Sequence, residues 1–193
     1  MARALVVFAH PVPESLNAAA HSVVVETLST RGWEVDDCDL YTEGFDPVLS
    51  MEERRGYHDV ATNSASVQTY VDRVRAADAM ILCHPVWNFG YPAILKGFFD
   101  RVMLPGVAFR LEDGALSPCL DNLRKLAVVT TYGATPMRAF LAGDPPKKIF
   151  KRAIWGTVRP EKMRYIAQYD MNNITPEGCT AFLKRVRREM EAF

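Results

Sequence analysis

Short apolar runs and helical stripes alternate along the chain. Residues 3–9 are continuously apolar after Arg3, as in a strand buried on both faces. From Leu16 to about Thr30, apolar residues at 16, 20, 23, 24 and 28 make one helical face. Ser15 is a good N-cap for that helix, and Gly32 lies just past its end. Trp33 to Leu40 alternates in part and predicts a second strand. Ser50-Met51-Glu52-Glu53 fits a capping box and predicts a short helix over 51–57. Val67, Tyr70, Val71 and Val74 predict another helix over 64–76. Residues 79–84 predict the third strand, 84–91 a loop, and Pro92 to about Met103 a helix. Val107 to Leu111 reads as extended and peripheral, with a turn at Glu112-Asp113-Gly114. Residues 124–131 predict the fourth strand, and Lys162 to Gln168 the fifth. Between them Asp144 caps a helix opened by Pro145 and Pro146, with Ile149, Phe150, Ala153 and Ile154 as its buried face. Thr175-Pro176-Glu177 opens a last helix to about 191, with Cys179, Phe182, Leu183, Val186 and Met190 on one face.

This β-α order, five times repeated, predicts an α/β protein with a parallel sheet, helices on both faces and right-handed crossovers. Five strands fit a flavodoxin-like three-layer sandwich of order 2-1-3-4-5. At 193 residues, the chain reads as a single domain over 1–193. Its 23 basic and 23 acidic side chains balance. That argues against a nucleic-acid partner, and against the acidic surface of a protein that docks to basic redox partners. No apolar run reaches the roughly 18–20 residues needed to span a bilayer, so no membrane insertion is expected. The apolar start is too short for a signal peptide and is broken by His10, Pro11 and Pro13, which predicts a cytoplasmic protein. Cys38, Cys83, Cys119 and Cys179 are widely spaced and read as reduced structural thiols.

In such a sheet the loops 10–17, 84–91 and 131–137 converge at the strands' carboxyl ends, where flat ligands bind. In the first, His10, Ser15, Asn17 and the N–H groups of 15–18 suit a phosphate at a helix N-terminus. The plainer reading is an N-cap beside a surface histidine. In the second, Trp87, Asn88 and Phe89 suit the face of an isoalloxazine, with Gly90 allowing close backbone approach. Alternatively these aromatics are core. In the third, Thr130-Thr131-Tyr132-Gly133-Ala134 offers small residues and backbone donors, or is an ordinary turn. His84 reads as a packed residue. His21 and His58 lack metal-ligand spacing, and no metal is expected. Lys147-Lys148 and the basic pairs at 184–188 read as solvated helix faces. No Walker lysine, G-x-G-x-x-G or G-x-S-x-G motif occurs.

The run Phe89-Gly90-Tyr91-Pro92-Ala93-Ile94-Leu95-Lys96-Gly97-Phe98-Phe99-Asp100-Arg101-Val102 resembles a signature of the NAD(P)H:quinone oxidoreductase family, the DT-diaphorase-like flavoproteins. His10 with Ser15-Leu16-Asn17, Phe45-Asp46-Pro47, and Thr130-Thr131 with Gly133 match further family positions. The resemblance implies that His10, Ser15, Leu16 and Asn17 bind the phosphate side of a flavin. Pro85, Val86, Trp87, Asn88 and Phe89 would line the isoalloxazine. Thr130, Thr131, Tyr132 and Gly133 would hold its other edge, and Asp100 its far end. It implies FMN, with FAD the alternative, because the sequence stops short of the C-terminal extension of mammalian members. It also implies a homodimer with the active site at the interface. There Phe109 and Leu111 stand where the family often has two tyrosines reaching into the partner's site. The loop after Thr131 departs from the family: Tyr132 replaces a glycine, and Met137, Arg138 and Ala142 stand where a Tyr/His relay is usual.

The function so implied is hydride transfer from NAD(P)H, via flavin N5, to a quinone or similar acceptor. Both substrates use one flavin face, so ping-pong kinetics are expected. Tyr132, Asn88 and Phe109 are candidates for the substrate pocket, and no catalytic side chain is assigned. The rival readings are a one-electron flavodoxin-type carrier and a flavin-binding regulatory subunit of a transport system.

Overall fold

A computed structural model describes residues 1–112 and 114–193. Asp113, in the turn expected at 112–114, lies outside the described residues. The strands are β1 (Arg3–Phe8), β2 (Glu34–Asp39), β3 (Ala79–Val86), β4 (Phe109–Glu112), β5 (Ala115–Pro118), β6 (Lys125–Tyr132) and β7 (Lys162–Gln168). The helices are α1 (Leu16–Thr30), α2 (Met51–Arg55), α3 (Gln68–Ala76), α4 (Ala93–Val102), α5 (Pro136–Leu141), α6 (Pro145–Lys148), α7 (Trp155–Val158) and α8 (Pro176–Glu191).

Five strands form a parallel sheet of order β2-β1-β3-β6-β7. The expected order 2-1-3-4-5 is corrected to 2-1-3-6-7, because two further strands, β4 and β5, intervene in the chain without joining this sheet. The extended segment at 107–111 does not stay single: β4 and β5 close an antiparallel hairpin outside the main sheet. The third strand runs on to Val86, so Pro85 and Val86 belong to β3 and pair with Thr131 and Tyr132. Proline is tolerated there, at the strand's end, because its missing N–H breaks no ladder farther along.

Period-two alternation divides the core into two layers. Leu5, Val7, Met80, Leu82, Leu126 and Val128 face one side, under Phe45, Leu95, Phe98 and Phe150. Val6, Phe8, Ile81, Cys83, Ala127 and Val129 face the other, under α1 and α8. Helix α1 begins where Ser15 Oγ accepts from Ala18 N at 3.1 Å. Helix α2 has the expected reciprocal capping box between Ser50 and Glu53.

Two features fasten α4 to the 45–53 segment. Gly97 lies against Pro47 so closely that a Cβ would fall 2.3 Å from the Pro47 carbonyl oxygen. Arg101, on the next turn, bonds Glu53 Oε1 at 2.5 Å and the Asp46 carbonyl. Its guanidinium lies 5.7 Å from the Phe45 ring centroid. The signature over 89–102 therefore encodes packing through much of its length.

The region after β6 differs most from expectation. Thr135 caps an unforeseen helix, α5, accepting from Arg138 N at 3.3 Å. Asp144 makes no side-chain cap for α6; its own backbone is left-handed, φ 46°. The helix it precedes is not one regular element. A π turn at Ile149–Ile154 separates α6 from α7. Bonding from i to i+5 resets the helical phase. Phe150 and Ile154 stay buried, while Ala153 and Ile149 are exposed, against the expected face.

Candidate functional site

Parallel pairing lays the carboxyl ends of β1, β3 and β6 side by side. The three expected loops therefore meet at one end of the sheet. Ala9 N bonds the Cys83 carbonyl at 2.9 Å, fixing where the first loop departs. His10 Nδ1 accepts from Val12 N at 3.0 Å. The ring proton then belongs on Nε2, which is left to donate outward. Burial lowers the His10 pKa, so the ring is held toward its neutral form.

Asn17 is in the first turn of α1 and only 2% exposed, yet neither its Oδ1 nor its Nδ2 has a partner among the described residues. Such a group costs about 1–3 kcal/mol when buried unpaired. The first turn of α1 also offers backbone N–H groups that the helix itself cannot satisfy. A phosphate or a polar ligand edge would answer both needs.

The second loop is a two-residue turn. Trp87 N donates to Gly90 O at 3.2 Å, and Gly90 N to Trp87 O at 2.8 Å. Asn88 and Phe89 between them have φ of 49° and 56°, the left-handed pair of a type I′ turn. For phenylalanine this is an uncommon, costly conformation. Trp87 is 42% and Phe89 38% exposed, so these aromatics are not core. The Trp87 ring meets His10 edge-on at 5.9 Å, which joins the first loop to the second.

Beneath them, His84 is fully buried. Its Nδ1 lies 2.9 Å from the Pro85 carbonyl, which can only accept, so Nδ1 carries the proton. Burial pushes its pKa down to about 4. The bare Nε2 has no partner, and neither has Thr130 Oγ1, on the residue paired with it in β6. Sequence reasoning set His84 aside as packed, and nothing in the sequence alone marked its unpaired nitrogen.

The third loop departs from expectation at Tyr132. Its side chain is 1% exposed and faces away from solvent. The hydroxyl donates to Asp144 Oδ1 at 2.7 Å and also meets the Tyr165 hydroxyl. The ring lies 4.5 Å from that of Tyr169. Burial, then Tyr165 and Asp144, raise its pKa far above the ordinary phenol value. The side chain is thus engaged in packing; only the backbone of Tyr132 stays at the strand end with buried Thr131 and exposed Gly133.

Three predicted residues stand apart from these loops. Asp100 lies eight residues along from Pro92, about 12 Å by helical rise, paired with Lys96 at 2.5 Å. Phe109, on β4, packs half-buried against its own core, and Leu111 is 58% exposed. Among the described residues no group of three or more His, Cys, Asp or Glu side chains is placed to hold a metal.

Known proteins share this fold. The family described as having a flavodoxin-like fold matches residues 2–188. NAD(P)H dehydrogenase [quinone] 1 of Rattus norvegicus is 32% identical over 151 residues, covering 70% of this chain and 55% of that protein. The chain thus spans little over half the length of that relative. Ribosyldihydronicotinamide dehydrogenase [quinone], also of Rattus norvegicus, is 31% identical over 172 residues, 79% of this chain and 72% of its own. The crystal structure of Smu.1420 from Streptococcus mutans UA159 superposes with a TM-score of 0.89 at 29% identity, covering 99% of this chain and all of that one. By sequence and by fold, the chain belongs to the flavodoxin-like family and, within it, to the NAD(P)H:quinone oxidoreductases.

Proposed function

We propose that this chain is a flavin-dependent oxidoreductase that passes reducing equivalents from NAD(P)H to a quinone or similar acceptor. The observation that carries the reading is the buried, unpaired amide of Asn17 at the N-terminus of α1, one loop away from the exposed Trp87 and Phe89. FMN fits this cradle, with FAD the alternative. His10 Nε2, Ser15, Leu16 and Asn17 would hold its phosphate side. Pro85, Val86, Trp87, Asn88 and Phe89 would border the ring system, and Thr130, Thr131, Gly133 and the backbone of Tyr132 its other edge. Bound flavin supplies the chemistry itself, hydride acceptance and release at N5. The chain binds and orients it, and His84, neutral and buried, offers a lone pair rather than a charge beneath the site.

The reading includes a homodimer in the cytoplasm. An apolar groove of about 190 Å³ lies between Tyr91, Phe99, Met103, Ile149 and Ile154, beside Trp155, which is 44% exposed. A second copy would cover it, and Phe109 and Leu111 on the hairpin would then reach toward the partner's site. No helix among the described residues is long and apolar enough to cross a membrane.

The test is the purified chain reconstituted with FMN and assayed with NADH, NADPH and a soluble quinone. Parallel initial-velocity lines are expected, since donor and acceptor take turns on one face. Intersecting lines would overturn the alternation, and absence of quinone-dependent oxidation with either donor would overturn the function. Mass spectrometry of the released cofactor separates FMN from FAD. Sedimentation at micromolar concentration tests the dimer.

A further inference from the structure

The chain as a whole is neutral, but its charge is unevenly placed. Residues 136–159 carry six basic side chains against one carboxylate, Asp144. Four of them, Lys147, Lys148, Lys151 and Arg152, line a hollow of about 290 Å³ together with Phe140 and Gly143. Lys148, Lys151 and Arg152 have no ion-pair partner among the described residues; Lys147 has Asp144 at 3.9 Å. Lys147 with Lys151, and Lys148 with Arg152, are like-charge pairs four apart, an arrangement that destabilises a helix. Lys151 and Arg152 lie in the π turn that begins at Ile149. Such turns recur at functional sites.

The hollow is tied to the candidate site by two hydrogen bonds. Asp144 on its edge accepts from Tyr132, the last residue of β6. Pro146, one residue before Lys147, accepts from the Tyr91 hydroxyl at 2.8 Å, at the exit of the Trp87–Gly90 turn. Lys148 Nζ lies over Gly143, where an added Cβ would be only 3.4 Å away. Phe140, 76% exposed, presents an open aromatic ring beside these cations. An aromatic platform next to several unpaired cations suits an aromatic base bearing a phosphomonoester. The volume is at the lower end for a small-molecule pocket, enough for one end of a dinucleotide.

We propose that this hollow is a subsite for the 2′-phosphoadenosine end of the reductant, so that the enzyme selects NADPH over NADH. The inference rests on the reading of the site as one that accepts a nicotinamide nucleotide. The base stacks on Phe140, and the 2′-phosphate, absent from NADH, is held by Lys148, Lys151 and Arg152. Lys147 is already shared with Asp144 and with the Tyr165 ring, 5.7 Å from its ammonium.

The test uses the full chain loaded with flavin. The ratio of kcat/KM for NADPH over NADH is expected to exceed tenfold and to fall at least tenfold in K148Q/K151Q/R152Q. A charge-matched change elsewhere, R31Q/K184Q/R188Q, is expected to leave the ratio alone. A wild-type ratio near one, or one that the triple change does not move, overturns the proposal. A second readout does not depend on turnover: calorimetric binding of adenosine 2′,5′-bisphosphate and of adenosine 5′-monophosphate. The bisphosphate is expected to bind at least tenfold tighter, and the triple variant to lose that preference. Equal binding of the two overturns the subsite. So does retention by phosphatidylglycerol vesicles through these cations that the bisphosphate fails to displace, which would assign the patch to a lipid surface. Absence of turnover with both donors, alongside selective bisphosphate binding, would sink the oxidoreductase reading while the nucleotide subsite stood.

Discussion

Gly97 of α4 lies against the backbone of Pro47, and a Cβ at residue 97 would come within 2.4 Å of the Pro47 Cα and Cβ as well as its carbonyl oxygen. In an exposed helix, glycine to alanine gains up to about 1 kcal/mol from propensity. Here the clash is with backbone, which cannot yield as a flexible side chain does. Overpacking of this kind costs about 1–3 kcal/mol, so the steric effect wins. G97A is expected to lower the denaturation midpoint in urea. A midpoint equal to or above that of the parent protein would show that the contact is looser than described.

Asn17 separates binding from stability. Its amide has no partner among the described residues, so N17A removes an uncompensated buried group rather than a made bond. The flavin-free protein should keep its melting temperature within a few degrees. Flavin affinity should fall by about tenfold, the equivalent of about 1.4 kcal/mol. Fluorescence titration with FMN measures the second, thermal denaturation the first. Unchanged affinity would remove Asn17 from the cofactor site.

Tyr132 is expected to behave in the opposite way. Y132F deletes the hydroxyl that donates to Asp144 and meets Tyr165, leaving buried groups short of a partner. A loss of about 1–3 kcal/mol in stability follows. Flavin affinity should change little, because the backbone of residue 132 is untouched. A marked loss of flavin binding with normal stability would return the side chain to the cofactor site.

His84 predicts how stability depends on acidity. Its pKa is about 4 in the fold and about 6.5 when exposed to water. Between those values the unfolded chain binds a proton that the native state refuses, so stability falls as the pH drops from about 6.5 to 4. A shift of this size corresponds to about 3 kcal/mol across that window. Denaturation of H84Q should show a shallower decline over the same range. Equal slopes would mean that the imidazole is more accessible than its position implies.

Much of this fold is legible in the residues, because strongly periodic segments state their own environment. Helix α1 starts at Leu16 and ends at Thr30, as its stripe and Ser15 cap predict. β7 spans Lys162–Gln168 as read, although it lies at the sheet edge and is mostly half-buried. The 132–159 region resisted for identifiable reasons. Asp144 before two prolines looks like a helix cap, but its carboxylate goes to Tyr132, twelve residues away in sequence. That choice is tertiary and leaves no local signal. The π turn likewise moves Ile149 and Ala153 off the face that a 3.6-residue period assigns them. At the site, the types of residue were readable from composition and resemblance. The exposure of Trp87 and Phe89 and the isolation of Asn17 were not, because they depend on which strands lie side by side. Asp100 shows the converse: it belongs to the matching run, yet that run is a helix, and the helix carries it away from the loops.

The left-handed Asn88–Phe89 turn has a consequence for the protein's life in a cell. It keeps two aromatic rings partly in water in a conformation that phenylalanine resists, one loop away from the unpaired amide of Asn17. Unfavourable features are thus concentrated where the cofactor is proposed to dock. A ligand at one hundred times its dissociation constant adds about 2.7 kcal/mol to the stability of the state that binds it. Differences of 1–2 kcal/mol alter steady-state abundance several-fold through surveillance by proteases. The amount of this protein should therefore follow riboflavin supply, with newly made chains that find no cofactor cleared first.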